Sequence, residues 1–247
     1  TYSIIEYAGL AVIRYNHSLS DMGIYDVAYK MASVVFILSI GLNRMWQPIL
    51  YGYMNSTEPL SEIKKTAWIY LFSISMLSAI LISISSYIVS VFIDSKYLSA
   101  TLYMPFITFG LLIYAYSNVM IIMLTYDKKL KYLSAISVIH GVLTLFTTII
   151  FNNYFGLIGI AITVPVSNFI HFILVYRHAR INYSLMLHVN DMVKINLYIL
   201  FIMLFKVSQS YLSGSYEITI NICVLICLSF ILKIGVSTYR GISADVK

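Results

Sequence analysis

The stretch Tyr132–Tyr176, YLSAISVIHGVLTLFTTIIFNNYFGLIGIAITVPVSNFIHFILVY, runs 45 residues without an Asp, Glu, Lys or Arg. A helix that crosses a bilayer needs about 20 largely apolar residues, each rising 1.5 Å through a hydrocarbon core of about 30 Å. The run is too long for one crossing and about long enough for two. Asn152-Asn153-Tyr154 followed by Gly156 interrupts it near the middle. That polar and glycine punctuation predicts a break between helices near 132–151 and 157–176.

Charge-free runs parse the flanks in the same way. Thr66–Ile93 and Tyr97–Tyr126 carry no charge and each make one span. Downstream, 195–212 and 218–239 are weaker spans that contain Lys206 and Lys233. Upstream, 22–42 is apolar enough to cross and continues as an amphipathic stretch through Pro48 to about Asn55. Residues 1–13 read as the tail of one more span, and the opening at Thr1, without Met or a charged leader region, reads as a fragment of a longer chain. The expected fold is therefore all-α: a polytopic transmembrane bundle of about seven whole spans plus a partial first one.

Bulk composition agrees. Of 247 residues, 60% are apolar and 11% charged, and the mean hydropathy is +0.86; a soluble domain spends about 25% of its residues on charge. Too little polar surface exists to coat a water-soluble globule, which excludes a soluble enzyme, a nucleic-acid module and a secreted disulfide scaffold. The formal charge of +6 sits in short clusters between apolar runs, the membrane pattern rather than a nucleic-acid patch. Cys223 and Cys227 are the only cysteines and lie one helical turn apart in an apolar run, which suits packing better than a bridge or a metal site. No metal and no cofactor is implied.

Lysine and arginine set sidedness. One set of alternate loops holds Lys64, Lys65, Lys128, Lys129, Lys131, Arg177, Arg180, Lys194, Arg240 and Lys247, and the other holds Arg14 and Lys96. This alternation predicts a cytoplasmic C-terminus, with the loops 14–21, 94–96, 152–156 and 213–217 facing outward. All four are short, so no outside loop is large enough to carry the catalytic group of a membrane enzyme. No glycine-rich nucleotide loop with its lysine is present. Tight loops between spans are the build of a transporter or channel, with its site near the midplane.

Charges inside the bilayer cost roughly 2.5–3.5 kcal/mol each at a helix centre, so each needs an explanation. On a wheel turning 100° per residue, Gly23, Asp26, Ser33, Ile37, Gly41, Arg44 and Pro48 all fall within about 60° of Lys30. The opposite side carries Ile24, Met31, Val35, Leu38 and Leu42. The ionic stripe faces protein or water. Asp26 and Lys30 read either as a self-neutralising i,i+4 pair or as a cationic contact in a hydrated cavity, tuned by Asp26. Arg44 is either an interface anchor or a contact at the cavity mouth. Lys233 can snorkel, and Lys206 stays ambiguous. His140 and His171 are each either a hydrogen-bonded core residue or a proton-coupling group. Most of the 22 tyrosines fit an aromatic belt, Tyr97, Tyr126, Tyr132 and Tyr176 among them.

Two segments carry a family resemblance. Gly23-Ile24-Tyr25-Asp26-Val27-Ala28-Tyr29-Lys30, an apolar helix and then Trp46-Gln47-Pro48 resemble the segment opening the second lobe of polysaccharide flippases. Tyr154-Phe155-Gly156-Leu157-Ile158-Gly159-Ile160-Ala161-Ile162-Thr163 is similar to the motif that opens the last helix of that lobe. Residues 1–176 thus resemble the C-terminal lobe of a Wzx-type O-antigen or capsule repeat-unit flippase, of the multidrug/oligosaccharidyl-lipid/polysaccharide exporter superfamily; 177–247 would be an additional helix pair and cytoplasmic tail. Where many members carry Asp at the end of the preceding helix, this chain has Ile13-Arg14-Tyr15.

The resemblance implies a multi-pass protein of the bacterial inner membrane that moves undecaprenyl-diphosphate-linked oligosaccharide from the inner to the outer leaflet during polysaccharide biosynthesis. Its partners would be that lipid-linked substrate, the bilayer and an N-terminal lobe of the same chain. Lys30 would contact the diphosphate, with Asp26, Ser33 and Arg44 beside it and His140 and His171 available for coupling. A drug or metabolite antiporter of the same fold, or a polyprenyl-glycan polymerase or ligase, are the competing expectations.

Overall fold

The computed structural model describes residues 2–55, 60–180, 189–209 and 217–244. They form seven helices: α1 (Tyr2–Asn16), α2 (Leu19–Asn55), α3 (Leu60–Phe92), α4 (Ala100–Tyr126), α5 (Leu130–Arg180), α6 (Val189–Gln209) and α7 (Glu217–Ala244). A short 3-10 turn at Ser95–Tyr97 precedes α4, and no strand occurs among the described residues. The protein is an all-α bundle. Five helices (α2, α3, α4, α5 and α7) are long and apolar enough to cross a membrane. The expected count of seven spans is not reached by that measure. α1 has only 15 residues, and α6 carries Asp191, Lys194 and Lys206 within its 21. The 210–212 end of the expected 195–212 span lies outside the described residues.

α5 contains the turn that the double asparagine and glycine predict. A straight helix of its 51 residues would be about 75 Å long. Gly156 instead adopts φ 60, ψ −140, a region essentially closed to residues with a Cβ. The His140 and His171 rings would lie roughly 45 Å apart on a straight helix, yet their centroids are 4.5 Å apart. α5 is a helical hairpin: a first arm, 130–155, doubles back at Gly156 into a second arm, 157–180.

Contacts sort the connections into two ends. His17 Nε2 donates to Asn152 Oδ1 at 2.7 Å, and Gly23 sits beside the Tyr97 ring. Three of the loops read from charge as one set, 14–21, 94–96 and 152–156, therefore gather at one end; residues 213–216 of the fourth lie outside the described residues. At the other, the Lys65 ammonium lies 5.6 Å from the Tyr239 ring centroid. Tyr132 packs on His178 and Tyr51 on Tyr126 there, at 5.5 and 5.3 Å. The lysine-rich connections share this end, as the alternation requires. At the first end, Asp94 accepts the backbone N–H of Lys96 at 3.1 Å, which with the nearby ammonium holds its carboxyl below the usual carboxylate range.

α4 is the axis. Its apolar window is 78% buried, as suits a helix that is apolar on all sides, and α2, α3, α6 and both arms of α5 pack around it. α2 buries Tyr25, Ala28, Tyr29 and Ala32 with Met104, Ile107 and Leu111 of α4 and Ile160, Ala161 and Val164 of α5. A larger core joins α3, the rest of α4, α6 and α7 through Leu71, Ile74, Leu112, Met123, Ile195 and Ile231.

Helices this apolar gain little by burying one another within lipid, so close approach and polar crosslinks take over. Gly110 of α4 meets Val164–Pro165 of α5 so tightly that a Cβ on it would lie 2.7 Å from backbone atoms of both. Asn168 Nδ2 donates to Gly110 O at the same crossing, at 2.9 Å. Ser39, Tyr70 and Asn118 link α2, α3 and α4: Ser39 Oγ lies 2.8 Å from Tyr70 OH and accepts from Asn118 Nδ2 at 3.1 Å. Trp68 Nε1 donates to Gly235 O at 3.1 Å, fastening α7 to α3. Cys223 and Cys227 on α7 are free thiols.

Candidate functional site

α2 separates its two faces as its sequence periodicity indicates. Tyr25, Ala28, Tyr29, Ala32 and Val35 are buried against the bundle, while Lys30, Ile37, Gly41, Arg44 and Pro48 are exposed. Lys30 Nζ donates to Asp26 Oδ2 at 2.5 Å, and their side chains are 69% and 31% exposed. One turn on, Ser33 Oγ donates to Lys30 O at 2.6 Å. Gly41 has no neighbouring atom within 4 Å of where a Cβ would stand.

The four candidate binding residues therefore lie on one face that the described helices leave open. Asp26, Lys30 and Ser33 are brought together within two turns. Arg44 stands about 21 Å further along the helix, by rise alone, and touches none of them. At membrane depth lipid tails are a poor solvent for such a face. Its natural surroundings are a water-filled cavity or another protein surface. An exposed i,i+4 pair contributes only about 0.3–0.5 kcal/mol to a helix, so helix stability alone is a weak reason for placing two charges there.

The second group of candidates is buried. His140 is 0% and His171 3% exposed. Their rings meet at 4.5 Å and both stack on Tyr114 of α4, at 6.4 and 5.4 Å. Phe36 of α2 extends the row, 5.8 Å from Tyr114. Neither nitrogen of His140, nor Nδ1 of His171, nor Oδ1 of Asn168 makes a well-formed hydrogen bond, although the Asn168 amide stands within reach of the His140 ring. A neutral imidazole has one donor and one acceptor to satisfy, and leaving such groups buried and unmade costs about 1–3 kcal/mol each.

These rings terminate a polar seam. Along the first arm, His140, Thr144, Thr148 and Asn152 recur every fourth residue and all are buried. Thr144 donates to His140 O at 2.8 Å and Thr148 to Thr144 O at 2.7 Å. Asn152 meets His17 at the hairpin tip. Thr163, Ser167, Asn168 and His171 give the second arm its own buried polar face. The seam runs from the tip to the histidine pair through an otherwise apolar bundle.

Reading each histidine alone missed their pairing. The available signal was the four-residue recurrence of polar groups on 140–152, facing a second polar stripe across a predicted turn. Lys206 was also under-read: it is 7% exposed, a buried cation in α6. Among the described residues no three or more His, Cys, Asp or Glu converge as a metal site. No family model, no curated protein and no solved structure matches this chain.

Proposed function

We propose that the chain is one lobe of a bacterial inner-membrane flippase for undecaprenyl-diphosphate-linked oligosaccharides, with a cytoplasmic C-terminus and the seven-span topology read from its charges. The observation that carries this reading is the open ionic face of α2, which coincides with the segment Gly23–Lys30 that resembles the opening of the flippase second lobe. A diphosphate and several sugars cannot be solvated by lipid tails, so a protein surface must replace water with cations and hydroxyls. Lys30 would contact the diphosphate and Asp26 would hold it between visits of substrate. Ser33 and Arg44 would serve the head group within the cavity and at its mouth. A second lobe would close the cavity against this face, and rocking between the two would give alternating access.

The test is Lys30→Ala in the full-length protein of the parent strain. Surface polysaccharide is expected to be lost while the variant still inserts in the membrane at normal abundance. Normal surface polysaccharide would remove Lys30 from the mechanism.

The buried histidine pair favours a second reading, an ion-coupled drug or metabolite antiporter of the same fold, with His140 and His171 as the proton-binding groups. Proton-driven efflux with unchanged surface sugars would select it over the flippase.

A further inference from the structure

A crevice of about 630 Å³ opens between α6 and α7, away from the α2 face and the histidine pair. Asp191, Lys194 and Tyr198 line it from α6, and Phe230, Lys233, Ser237, Thr238 and Gly241 from α7. We propose that it binds the phosphate head group of an anionic phospholipid, with the proximal acyl chain lying on the Tyr198–Phe230 wall. The proposal does not depend on what the protein transports.

Charge points to an anion. Asp191 is fully engaged: Oδ1 accepts from Lys194 Nζ at 3.0 Å and Oδ2 from Thr238 Oγ1 at 2.9 Å. Lys233 forms no ion pair among the described residues. Two lysines against one aspartate leave the crevice at +1 (2 − 1). Lys233 also sits in the apolar span Asn221–Ile242, nine residues before its end, hence about 14 Å inside by rise. Even snorkelling towards that end of the helix, the ammonium stays inside the apolar span, where it is costly without an anion or an aqueous path, and the polar crevice supplies the place for one.

Shape agrees. Positions 233, 237 and 241 recur every fourth residue, so the ammonium, the Ser237 hydroxyl and Gly241 form one stripe. Gly241 has no atom within 4 Å of a notional Cβ, which leaves room beside the stripe. Lysine and hydroxyl donors suit a tetrahedral phosphate. One end of the crevice is walled by apolar rings: Tyr198 of α6 and Phe230 of α7 stack on each other at 5.5 Å with 1° between planes, and Phe230 is 43% exposed. A free phosphate has no use for that wall, whereas a lipid does. The crevice lies towards the end that holds Lys65 over Tyr239, and basic pockets between spanning helices at such an end suit anionic lipid head groups.

The experiment measures lipid retention by native mass spectrometry and thermal stability in detergent on the purified full-length chain. Phosphatidylglycerol, phosphatidylcholine and inorganic phosphate are added separately. Phosphatidylglycerol is expected to bind and stabilise more than phosphatidylcholine. Lys233→Gln should weaken it about fivefold, the effect of one lysine near a membrane surface, and should leave the lipid-free unfolding temperature unchanged. Ser237→Ala and Phe230→Ala provide independent reductions, the latter for the lipid alone. Equal effects of the two lipids, or full retention of phosphatidylglycerol by Lys233→Gln, would overturn the proposal. Stabilisation by inorganic phosphate equal to that by the lipid would also overturn it, because the acyl wall would then contribute nothing.

Discussion

Replacing His140 with leucine should make the protein more stable. In the folded bundle both ring nitrogens of His140 are buried without a well-formed hydrogen bond, with the Asn168 amide within reach of the ring, and removing a poorly satisfied buried donor and acceptor recovers about 2–3 kcal/mol. The substitution also forfeits the ring contacts with His171 at 4.5 Å and Tyr114 at 6.4 Å, worth about 1 kcal/mol. Leucine is close to histidine in volume, so little cavity or overpacking is added. The net gain is about 1–2 kcal/mol, or a rise of about 2–8 °C in unfolding temperature for a chain of this size. The assay is thermal unfolding in detergent at pH 8, where an ordinary histidine is neutral. If the pair serves ion coupling, the same variant should lose transport while gaining stability, since a site kept for function is one the fold would be more stable without. A variant less stable than the parent by 1 kcal/mol or more would refute the reasoning, because it would mean that the ring nitrogens are satisfied in the membrane. Greater stability with normal transport would leave the pair without a functional role.

Two further outcomes follow from the helix crossings. Gly110→Ala would push a methyl to 2.7 Å from the Val164 and Pro165 backbone; neither is a movable side chain, so a loss of about 1–3 kcal/mol is expected, read as a lower unfolding temperature. Tyr70→Phe removes the hydroxyl that meets Ser39 at 2.8 Å and should cost about 1–2 kcal/mol. Ser39→Ala in the same background should then cost less than it does alone, which a double-mutant cycle measures.

What could be read from the residues was whatever depends on local composition. The turn at Gly156 was legible because two asparagines and a glycine interrupt an apolar run too long for one crossing. The segregation of α2 was legible because its charges share one 100° wheel face. The two ends were legible because lysines mark them. Helix limits were less so at the starts: α3 begins at Leu60, six residues before the charge-free run, and α2 begins at Leu19, three residues before the expected span, though it runs on through Pro48 to Asn55 where the amphipathic continuation was expected to end. Charge-free runs mark where lipid begins, whereas helical hydrogen bonding continues past that boundary into charged turns. The histidine pair needs knowledge of register. Residues 31 apart meet only because the hairpin reverses midway between them, and a one-turn slip would separate them. The burial of Lys206 depends likewise on how α6 seats in the bundle.

The hairpin at Gly156 has no slack. Its arms meet through one glycine instead of a loop, and the Asn152–His17 bond ties the tip to the connection between α1 and α2. Separating the arms would require melting helical turns at the tip, so they must travel as one rigid lever. Whatever shape change accompanies function has to be absorbed elsewhere, where α2 meets its surroundings, since the Gly110 crossing is itself packed backbone to backbone and pinned by Asn168.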